Sequence, residues 1–266
     1  MAQLVVEDLL VNYDEKVIIN SLNVEIPKGK ITTIIGSNGC GKSTLLKTIS
    51  RILKPKKGTV FLDGKSIHQQ STKELAKQMA MMPQSPTVPQ GLTVYELVSY
   101  GRYPHQKGLG RLKEADKKAI EWSLDVTGVK AFANSEVDSL SGGQRQKVWI
   151  AMTLAQETDI ILLDEPTTYL DMAHQLDILK LLKKLNEQEN RTIVMVLHDL
   201  NHAARFSDYL ITMNEGTIVK TGSPLEVMTT ETLKNVYNIE ASIMIEPKSG
   251  CPICLTYDLC ENRELA

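Results

Sequence analysis

Apolar and polar positions alternate along the first part of the chain, with the period of two that is typical of half-buried strands. The alternation covers residues 4–10 and 17–26 and ends at the turn Pro27-Lys28-Gly29-Lys30. These segments predict antiparallel strands of a lead-in sheet. The run from Ile31 to Ile35 is rich in β-branched residues and does not alternate, which predicts a strand buried on both faces.

The pattern changes to a helical period between residues 84 and 157. Helices are predicted there over residues 93–100, 113–127 and 144–156. Strand-like runs return at residues 160–163, 192–197, 209–213 and 217–220. One face of an intervening helix carries Leu176, Leu179, Leu182 and Leu185. Strands that alternate with helices predict an α/β fold with a largely parallel sheet.

The composition is that of a globular chain with little net charge. Its 266 residues contain 30 Lys and Arg against 32 Asp and Glu, and 42% are hydrophobic. A near-neutral chain has no overall field that attracts nucleic acid, so we expect no such partner. Apolar runs such as 193–197 are far shorter than the roughly 20 residues of a spanning helix. The acidic start differs from a signal peptide, so a cytoplasmic protein is expected.

A glycine-rich segment follows the strand predicted at 31–35. It reads Gly36-Ser37-Asn38-Gly39-Cys40-Gly41-Lys42-Ser43-Thr44, which has the spacing of a phosphate-binding loop, and a helix is predicted over 43–50. Backbone N–H groups of such a loop converge on phosphate oxygens, and glycines permit the close approach. We expect Lys42 to reach the β- and γ-phosphates and Ser43 to ligate Mg²⁺. A glycine-rich turn with a chance Lys-Ser is the poorer alternative in this context.

Two acidic residues end a second buried strand, Ile160-Ile161-Leu162-Leu163-Asp164-Glu165. Ligands of open α/β sheets bind at the carboxyl ends of the strands. Asp164 is therefore expected to hold Mg²⁺ through water, and Glu165 to polarise the attacking water. Acids at a strand end are commonly solvated caps, so this prediction depends on the phosphate loop in the same chain.

A further glycine pair lies in Leu140-Ser141-Gly142-Gly143-Gln144, directly before the helix predicted over 144–156. Such a helix start offers a hydroxyl and N–H groups to a phosphate. Together with the other two motifs, in this order, it resembles the ATP-binding cassette family over residues 4–242. The resemblance implies an α/β P-loop NTPase fold, with a RecA-like parallel-sheet core, an antiparallel β lead-in and an inserted helical signature subdomain.

The resemblance also implies an organisation and an assembly. One domain is expected, in which residues 1–83 and 158–240 form the nucleotide-binding core with its lead-in. Residues 84–157 would form the helical subdomain and residues 241–266 a C-terminal tail. In that family two cassettes dimerise head to tail, so a homodimer is implied. Ser141, Gly142, Gly143 and Gln144 would then close over the ATP of the second copy.

Four residues gain roles only from their positions relative to these motifs. Tyr13 matches the aromatic residue that stacks on adenine, and Gln84 matches the glutamine that joins Mg²⁺ to the transmembrane partner. Asp171 matches the loop that crosses the dimer. His198, after the strand at 192–197, matches the histidine that contacts the γ-phosphate. Without the resemblance, the tyrosine and the histidine are read as structural residues.

Two stretches, residues 93–105 and 167–175, resemble importer ATPases for iron-siderophores, haem and vitamin B12, and ferrichrome-type ATPases most. Tyr169 replaces the small residue that many cassettes carry, in agreement with the siderophore group. An ATPase at the cytoplasmic face of the membrane is implied. It would drive uptake through a separate permease, with an external binding protein as an indirect partner. The sequence does not choose among hydroxamate, catecholate, haem and corrinoid.

Two other kinds of cassette remain as alternatives. Cassettes that act on DNA or ribosomes carry coiled-coil insertions or two fused copies, whereas this sequence has one copy of each motif and no sustained heptads. An exporter subunit shares the core motifs and is a nearer alternative.

The cysteines Cys251, Cys254 and Cys260 crowd into the tail. Their spacing would suit a structural zinc or an iron-sensing thiol site, but the nearest histidine is His202. We therefore expect a reduced tail without metal. Cys40, inside the phosphate loop, is expected to be a filler position. The alternative is a thiol whose alkylation or oxidation blocks ATP.

Overall fold

The computed structural model describes residues 2–84, 89–106, 111–168 and 170–260. The chain divides into two compact units, the first made of residues 1–69 and 194–266 and the second of residues 70–193. The helical segment predicted for 84–157 belongs to the second unit, and the predicted domain boundaries stay a prediction. Tyr169, singled out by the sequence, lies outside the described residues.

Strands and helices follow one another along the whole chain. As far as residue 99 they are β1 (Ala2–Tyr13), β2 (Lys16–Pro27), β3 (Ile31–Gly36), α1 (Lys42–Ile49), β4 (Lys57–Leu62), β5 (Lys65–Ser66), α2 (Thr72–Ala76), β6 (Met79–Met82) and α3 (Val94–Ser99). They continue with α4 (Glu114–Val126), α5 (Gly142–Ala155), β7 (Ile160–Asp164), α6 (Met172–Glu189), β8 (Thr192–Val196), α7 (Leu200–Phe206), β9 (Tyr209–Asn214), β10 (Thr217–Gly222), α8 (Pro224–Val227), α9 (Thr230–Tyr237), β11 (Ile239–Ile245) and β12 (Pro252–Leu259).

The first unit contains the antiparallel sheet that the alternating pattern predicts. β1 pairs antiparallel with both β2 and β4, and Val6 lies opposite Val24 on one side and Val60 on the other. All three valines are buried, because every second residue of these strands faces the same side of the sheet. The predicted lead-in sheet is confirmed.

β3 brings the chain to the phosphate loop. It is buried at all six positions and pairs in parallel with β9, which pairs antiparallel with β10. A strand covered on both faces has no polar side to present, and the β-branched residues between Ile31 and Ile35 suit that environment. The strand predicted there is confirmed, and it ends at Gly36, the first residue of the loop.

The second unit combines helices with a parallel strand pair. β6 pairs in parallel with β7, which is buried at all five positions. The predicted helices are confirmed as α3, α4 and α5.

Arg102 is almost fully buried and donates from Nε to Asp116 at 3.0 Å and from a terminal nitrogen to the Ala155 carbonyl oxygen at 2.6 Å. Burial alone would raise the pKa of Asp116, but hydrogen bonds from the Lys113 N–H group and from Arg102 hold it below its usual range.

Two strand regions differ from the sequence pattern. β6 reads Met-Ala-Met-Met and lacks the β-branched residues that mark strands, although it pairs with β7. The predicted tail instead contains β11 and β12, which pair as an antiparallel ribbon with an irregularity between Ser242 and Ile243. That irregularity interrupts the period of two on which the pattern depends. Among the described residues, no helix has the length and apolar character to cross a membrane.

Candidate functional site

The predicted phosphate loop connects β3 to α1 in the first unit. Its backbone is left-handed at Gly39, with φ 77°, and at Gly41, with φ 103°, a conformation that a Cβ disfavours. Gly41 is the residue before α1 and, as a glycine, supplies no side-chain cap to the first turn of the helix. The turn contains Lys42 and no acidic residue. Such a helix start favours an anion.

Lys42 lies folded over its own loop. The residue is 5% exposed, and its Nζ donates to the carbonyl oxygens of Gly36 and Ser37, each at 2.8 Å. The same nitrogen lies 3.9 Å from Sγ of Cys40. An ammonium held here faces the phosphate-binding turn and can form charge-assisted hydrogen bonds with phosphate oxygens.

The turn between β9 and β10 forms hydrogen bonds with the phosphate loop. Ser37 donates from Oγ to Oδ1 of Asn214 at 3.3 Å, and the Gly216 N–H group donates to the Cys40 carbonyl oxygen at 3.0 Å. A Cβ at Gly36 would collide with the Met213 carbonyl oxygen. The shape of the loop is therefore fixed by packing against β9 and its turn.

Tyr13 and His198 belong to the first unit as well. Tyr13 is 44% exposed at the end of β1. His198 is exposed and follows β8, directly before Asp199, which caps α7 by accepting the His202 N–H group at 2.7 Å. His198 also lines a cavity of about 430 Å³. Both rings are accessible to a ligand, and their roles stay predictions.

The second unit holds the two acidic residues at the end of β7. Asp164 is fully buried and Glu165 is 8% exposed. Glu165 has a left-handed backbone, with φ 54°, a strained conformation that clusters at functional sites. Its Oε2 accepts hydrogen bonds from Nε2 of Gln84 at 2.5 Å and from Oγ1 of Thr168 at 3.0 Å. Gln84 and Glu165, predicted from separate motifs, are thus in direct contact.

The signature turn before α5 caps itself. Ser141 accepts the Gln144 N–H group on Oγ at 3.3 Å, and Oε1 of Gln144 accepts the Ser141 N–H group at 3.0 Å. This reciprocal capping box satisfies two N–H groups. Gly142 is exposed, and a Cβ added there would meet nothing within 4 Å. A Cβ on Gly143, however, would lie 2.8 Å from Cδ2 of His174.

Asp171 and His174 form a second cap, at the start of α6. Oδ1 of Asp171 accepts the His174 N–H group at 2.9 Å and lies 2.8 Å from His174 Nδ1. These bonds, the backbone one first, hold the pKa of Asp171 below its usual range. His174 therefore contacts Asp171 and occupies the space that a Cβ on Gly143 would need. Sequence reasoning gave His174 and Thr168 no role, although each lies three residues after an acidic residue, a spacing typical of caps.

The donors predicted for Mg²⁺ are chemically suited to it. Mg²⁺ prefers oxygen ligands, which the Asp164 carboxylate, the Ser43 hydroxyl and the Gln84 amide all provide. Asp164 is also fully buried at the carboxyl end of β7, the edge at which ligands of open α/β sheets bind.

All four cysteines are free thiols. Burial raises the pKa of the Cys40 thiol, and the nearby Lys42 ammonium offsets only part of that effect. Burial likewise raises the pKa of Cys254. In the part of the chain that the structure describes, no three His, Cys, Asp or Glu residues are grouped to hold a metal ion. The expectation of a tail without metal stays a prediction.

The sequence motifs described above lie within a segment that matches a known protein family. Residues 19–168 match the family described as ABC transporter. The matched segment contains the phosphate loop, the signature turn and the Asp164-Glu165 pair.

One relative matches nearly end to end. The iron(3+)-hydroxamate import ATP-binding protein FhuC of Bacillus subtilis (strain 168) is 58% identical over 264 residues, which are 99% of this chain and 98% of that protein.

Two solved structures share the fold. A metal-chelate type ABC transporter in an inward-facing conformation has a TM-score of 0.82 at 30% identity and covers 96% of this chain and 98% of its own. The ATP-binding cassette MJ0796, in a dimeric post-hydrolysis state bound to ADP and Pi, has a TM-score of 0.73 at 32% identity. It covers 83% of this chain and 98% of its own.

Proposed function

This chain belongs to the ABC transporter family, and from that membership we propose that it is the ATP-hydrolysing subunit of an importer. The importer takes up an iron-siderophore, of the hydroxamate class, through a separate transmembrane permease. The chain binds peripherally to that permease at the cytoplasmic face, and an external binding protein is an indirect partner. The chain is 58% identical, over 99% of its length, to an iron(3+)-hydroxamate import ATP-binding protein, and this similarity supports the substrate class.

The environment of Glu165 is the observation that best supports the assignment of ATP hydrolysis. This buried carboxylate follows Asp164 in a strained conformation, and two donors, on Gln84 and Thr168, orient one of its oxygens. A carboxylate whose position is fixed in this way can accept a proton from an attacking water. Glu165 is therefore assigned as the catalytic base, and Gln84 as the residue that orients it before ATP arrives.

The remaining residues bind and position ATP. Tyr13 stacks on adenine, the loop from Gly36 to Thr44 surrounds the phosphates with N–H groups, and Lys42 and His198 contact the γ-phosphate. Mg²⁺, when bound by Ser43, Gln84 and Asp164, neutralises charge on the β- and γ-phosphates. Two copies assemble head to tail, so that Ser141, Gly142, Gly143 and Gln144 of each reach the ATP of the other. The cassette MJ0796, also dimeric, supports this assembly.

The variant Glu165→Gln tests the catalytic assignment. It keeps the shape of the side chain and removes the base, so we expect ATP to bind normally while turnover falls by at least about 10²-fold. An ATP-trapped dimer should then accumulate, which light scattering after size-exclusion chromatography measures. Near-normal turnover in this variant would remove Glu165 from the catalytic role.

Uptake of radiolabelled iron tests the transported class. A strain that lacks this chain is supplied with ferric hydroxamate, ferric catecholate or haem, and is complemented with the wild type or with Glu165→Gln. We expect wild-type complementation to restore uptake of the hydroxamate alone, and Glu165→Gln to restore none. Restoration of only the catecholate or haem would contradict the substrate class, and unchanged uptake after deletion would contradict iron import.

A further inference from the structure

The C-terminal module, which we define as residues 230–259, comprises α9, β11 and β12. It belongs to the same compact unit as the phosphate loop and His198. The proposed function gives it no task. Its hydrogen bonds within this unit nevertheless connect it to the segment that carries His198 and to the turn that packs against the phosphate loop.

Asn201 attaches the module to the segment that carries His198. It lies in the first turn of α7, three residues after His198. Its Nδ2 donates to the Cys254 carbonyl oxygen at 3.1 Å, and its Oδ1 accepts the Cys254 N–H group at 2.8 Å. A side-chain amide that pairs with both backbone groups of one residue copies the pairing of a neighbouring strand. β12 is thereby fixed to α7 at one register.

α9 attaches the same module to the phosphate loop. Asn214, whose Oδ1 accepts the Ser37 hydroxyl, donates from Nδ2 to the Asn235 carbonyl oxygen at 3.1 Å. Tyr237, at the end of α9, has its hydroxyl buried beside Gly36 and Cys40, and burial raises the pKa of this phenol. The phenol therefore stays neutral and acts as packing beneath the loop.

The two attachments meet around one cavity. His198, two residues before α7, and Asn201, in the first turn of α7, line the cavity of about 430 Å³ on one side, and Tyr237, Cys254 and Tyr257 of the module line it as well. Because α9 continues directly into β11, and β11 pairs with β12, the two attachments are joined by a continuous, hydrogen-bonded structure.

We infer that the C-terminal module is a positioning element of the ATP site, which holds His198 in a fixed place relative to the phosphate loop, with Asn201 as the positioning residue. The inference rests on the proposed function, in which His198 contacts the γ-phosphate. Catalysis is sensitive to such placement, since a displacement of about 1 Å caused by a distant change costs about 10²-fold in rate.

The variant Asn201→Ala tests the inference, because it removes both hydrogen bonds to Cys254 without substituting His198 or any residue of the phosphate loop. In the purified full-length chain we expect kcat for ATP hydrolysis to fall about 10-fold, less than the about 10²-fold cost of a displacement of about 1 Å, because β11 and α9 still hold the module in place. KM should stay within about twofold, since the groups that bind ATP in its ground state are retained. Asn201→Asp, which keeps only the acceptor, should give an intermediate kcat. A titration measures ATP affinity directly.

Asn235→Ala is the matched control. It makes the same change on an exposed side chain of the module, while the carbonyl oxygen that contacts Asn214 remains. Its kcat should equal that of the wild type, and thermal melting is compared for all variants. An unchanged kcat in Asn201→Ala overturns the inference, and so does a parallel loss of ATP affinity and melting temperature, which marks a merely structural role. A wild-type chain that binds no ATP would instead overturn the proposed function, and the inference with it.

Discussion

Two helices in this chain begin at glycine-bearing turns, and the two turns are capped in opposite ways. α1 follows Gly41, whose left-handed backbone brings no side-chain cap among the described residues. α5 follows Ser141, which forms a reciprocal capping box with Gln144. A helix N-terminus attracts an anion through N–H groups that have no other partner. The phosphate loop therefore lacks the side-chain cap that the signature turn has.

The difference indicates how two phosphate-facing turns can act on one nucleotide. The residue before α1 has no side chain that would compete with a ligand for the first-turn N–H groups, so the phosphate loop is suited to hold ATP within one copy. In the signature turn the capping box already uses the N–H groups of Ser141 and Gln144, and the Ser141 hydroxyl, which accepts the hydrogen bond from Gln144, still has a proton to donate. A turn that is capped by its own residues and adds one donor is suited to the role proposed for it, which is to reach the ATP of a second copy in the proposed dimer.

Lys42→Ala tests the role of the phosphate loop and should reduce ATP hydrolysis more than any other variant proposed here. It removes the cation that forms charge-assisted bonds, which reduces ATP affinity about 10-fold. It also removes stabilisation of charge in the transition state, worth about 10²-fold in kcat. Steady-state kinetics should therefore show kcat/KM lower by about 10³-fold. Lys30→Ala, an exposed lysine before β3, is the control and should change neither constant.

Ser141→Ala tests the signature side. We expect ATP affinity of a single copy to stay unchanged and turnover to fall about 10-fold, because one hydrogen-bond donor to the γ-phosphate is lost. The loss of the cap itself costs about 1 kcal/mol of stability. Ser223→Ala separates the two effects, since Ser223 forms the same capping box with Glu226 on α8. Equal turnover losses in both variants would show that capping alone explains the result.

Gly143→Ala sharpens the comparison by changing the packing of the signature turn without touching its donors. The added Cβ would press on the His174 ring, so α5 and the cap at Asp171 must shift apart. We expect turnover to fall about fivefold, as coupled neighbours typically interact by about 1 kcal/mol. The double variant Gly143→Ala with His174→Ala should recover most of that loss. Additive losses in this double-mutant cycle would exclude a clash with His174 as the cause.

Most of the fold could be predicted because its elements carry local patterns. β3 and β7 are continuous apolar or β-branched runs, and α5 follows a serine cap, so a short window of sequence suffices. β6 and the β11–β12 ribbon could not be predicted in this way. β6 is stabilised by pairing with β7, about 80 residues further along the chain, and a run of Met and Ala has no strand preference of its own.

The candidate site divides in the same manner. Gly36 to Thr44 form one continuous stretch of sequence, and the spacing of its glycines and Lys42-Ser43 is itself the signal. The contact between Gln84 and Glu165 joins residues 81 positions apart, and the pairing of Asn201 with Cys254 spans 53 positions. Such contacts depend on tertiary packing, to which no local pattern refers. The sequence motifs therefore predict which residues bind the nucleotide, and the structure adds which residues hold them in place.

Cys40 should show the smallest effect, because within the phosphate loop only its backbone is used. Cys40→Ala should leave kcat/KM within about twofold of the wild type, since the N–H and carbonyl groups stay in place. Burial raises the pKa of this thiol above its ordinary value of about 8.5, so the thiolate that reacts with alkylating reagents is scarce at neutral pH. Inactivation by N-ethylmaleimide should therefore be slow at pH 7, accelerate steadily as the pH is raised towards the raised pKa of the thiol, and be absent in Cys40→Ala. Rapid inactivation at pH 7 that Cys40→Ala abolishes would instead identify an accessible, reactive thiol in the loop.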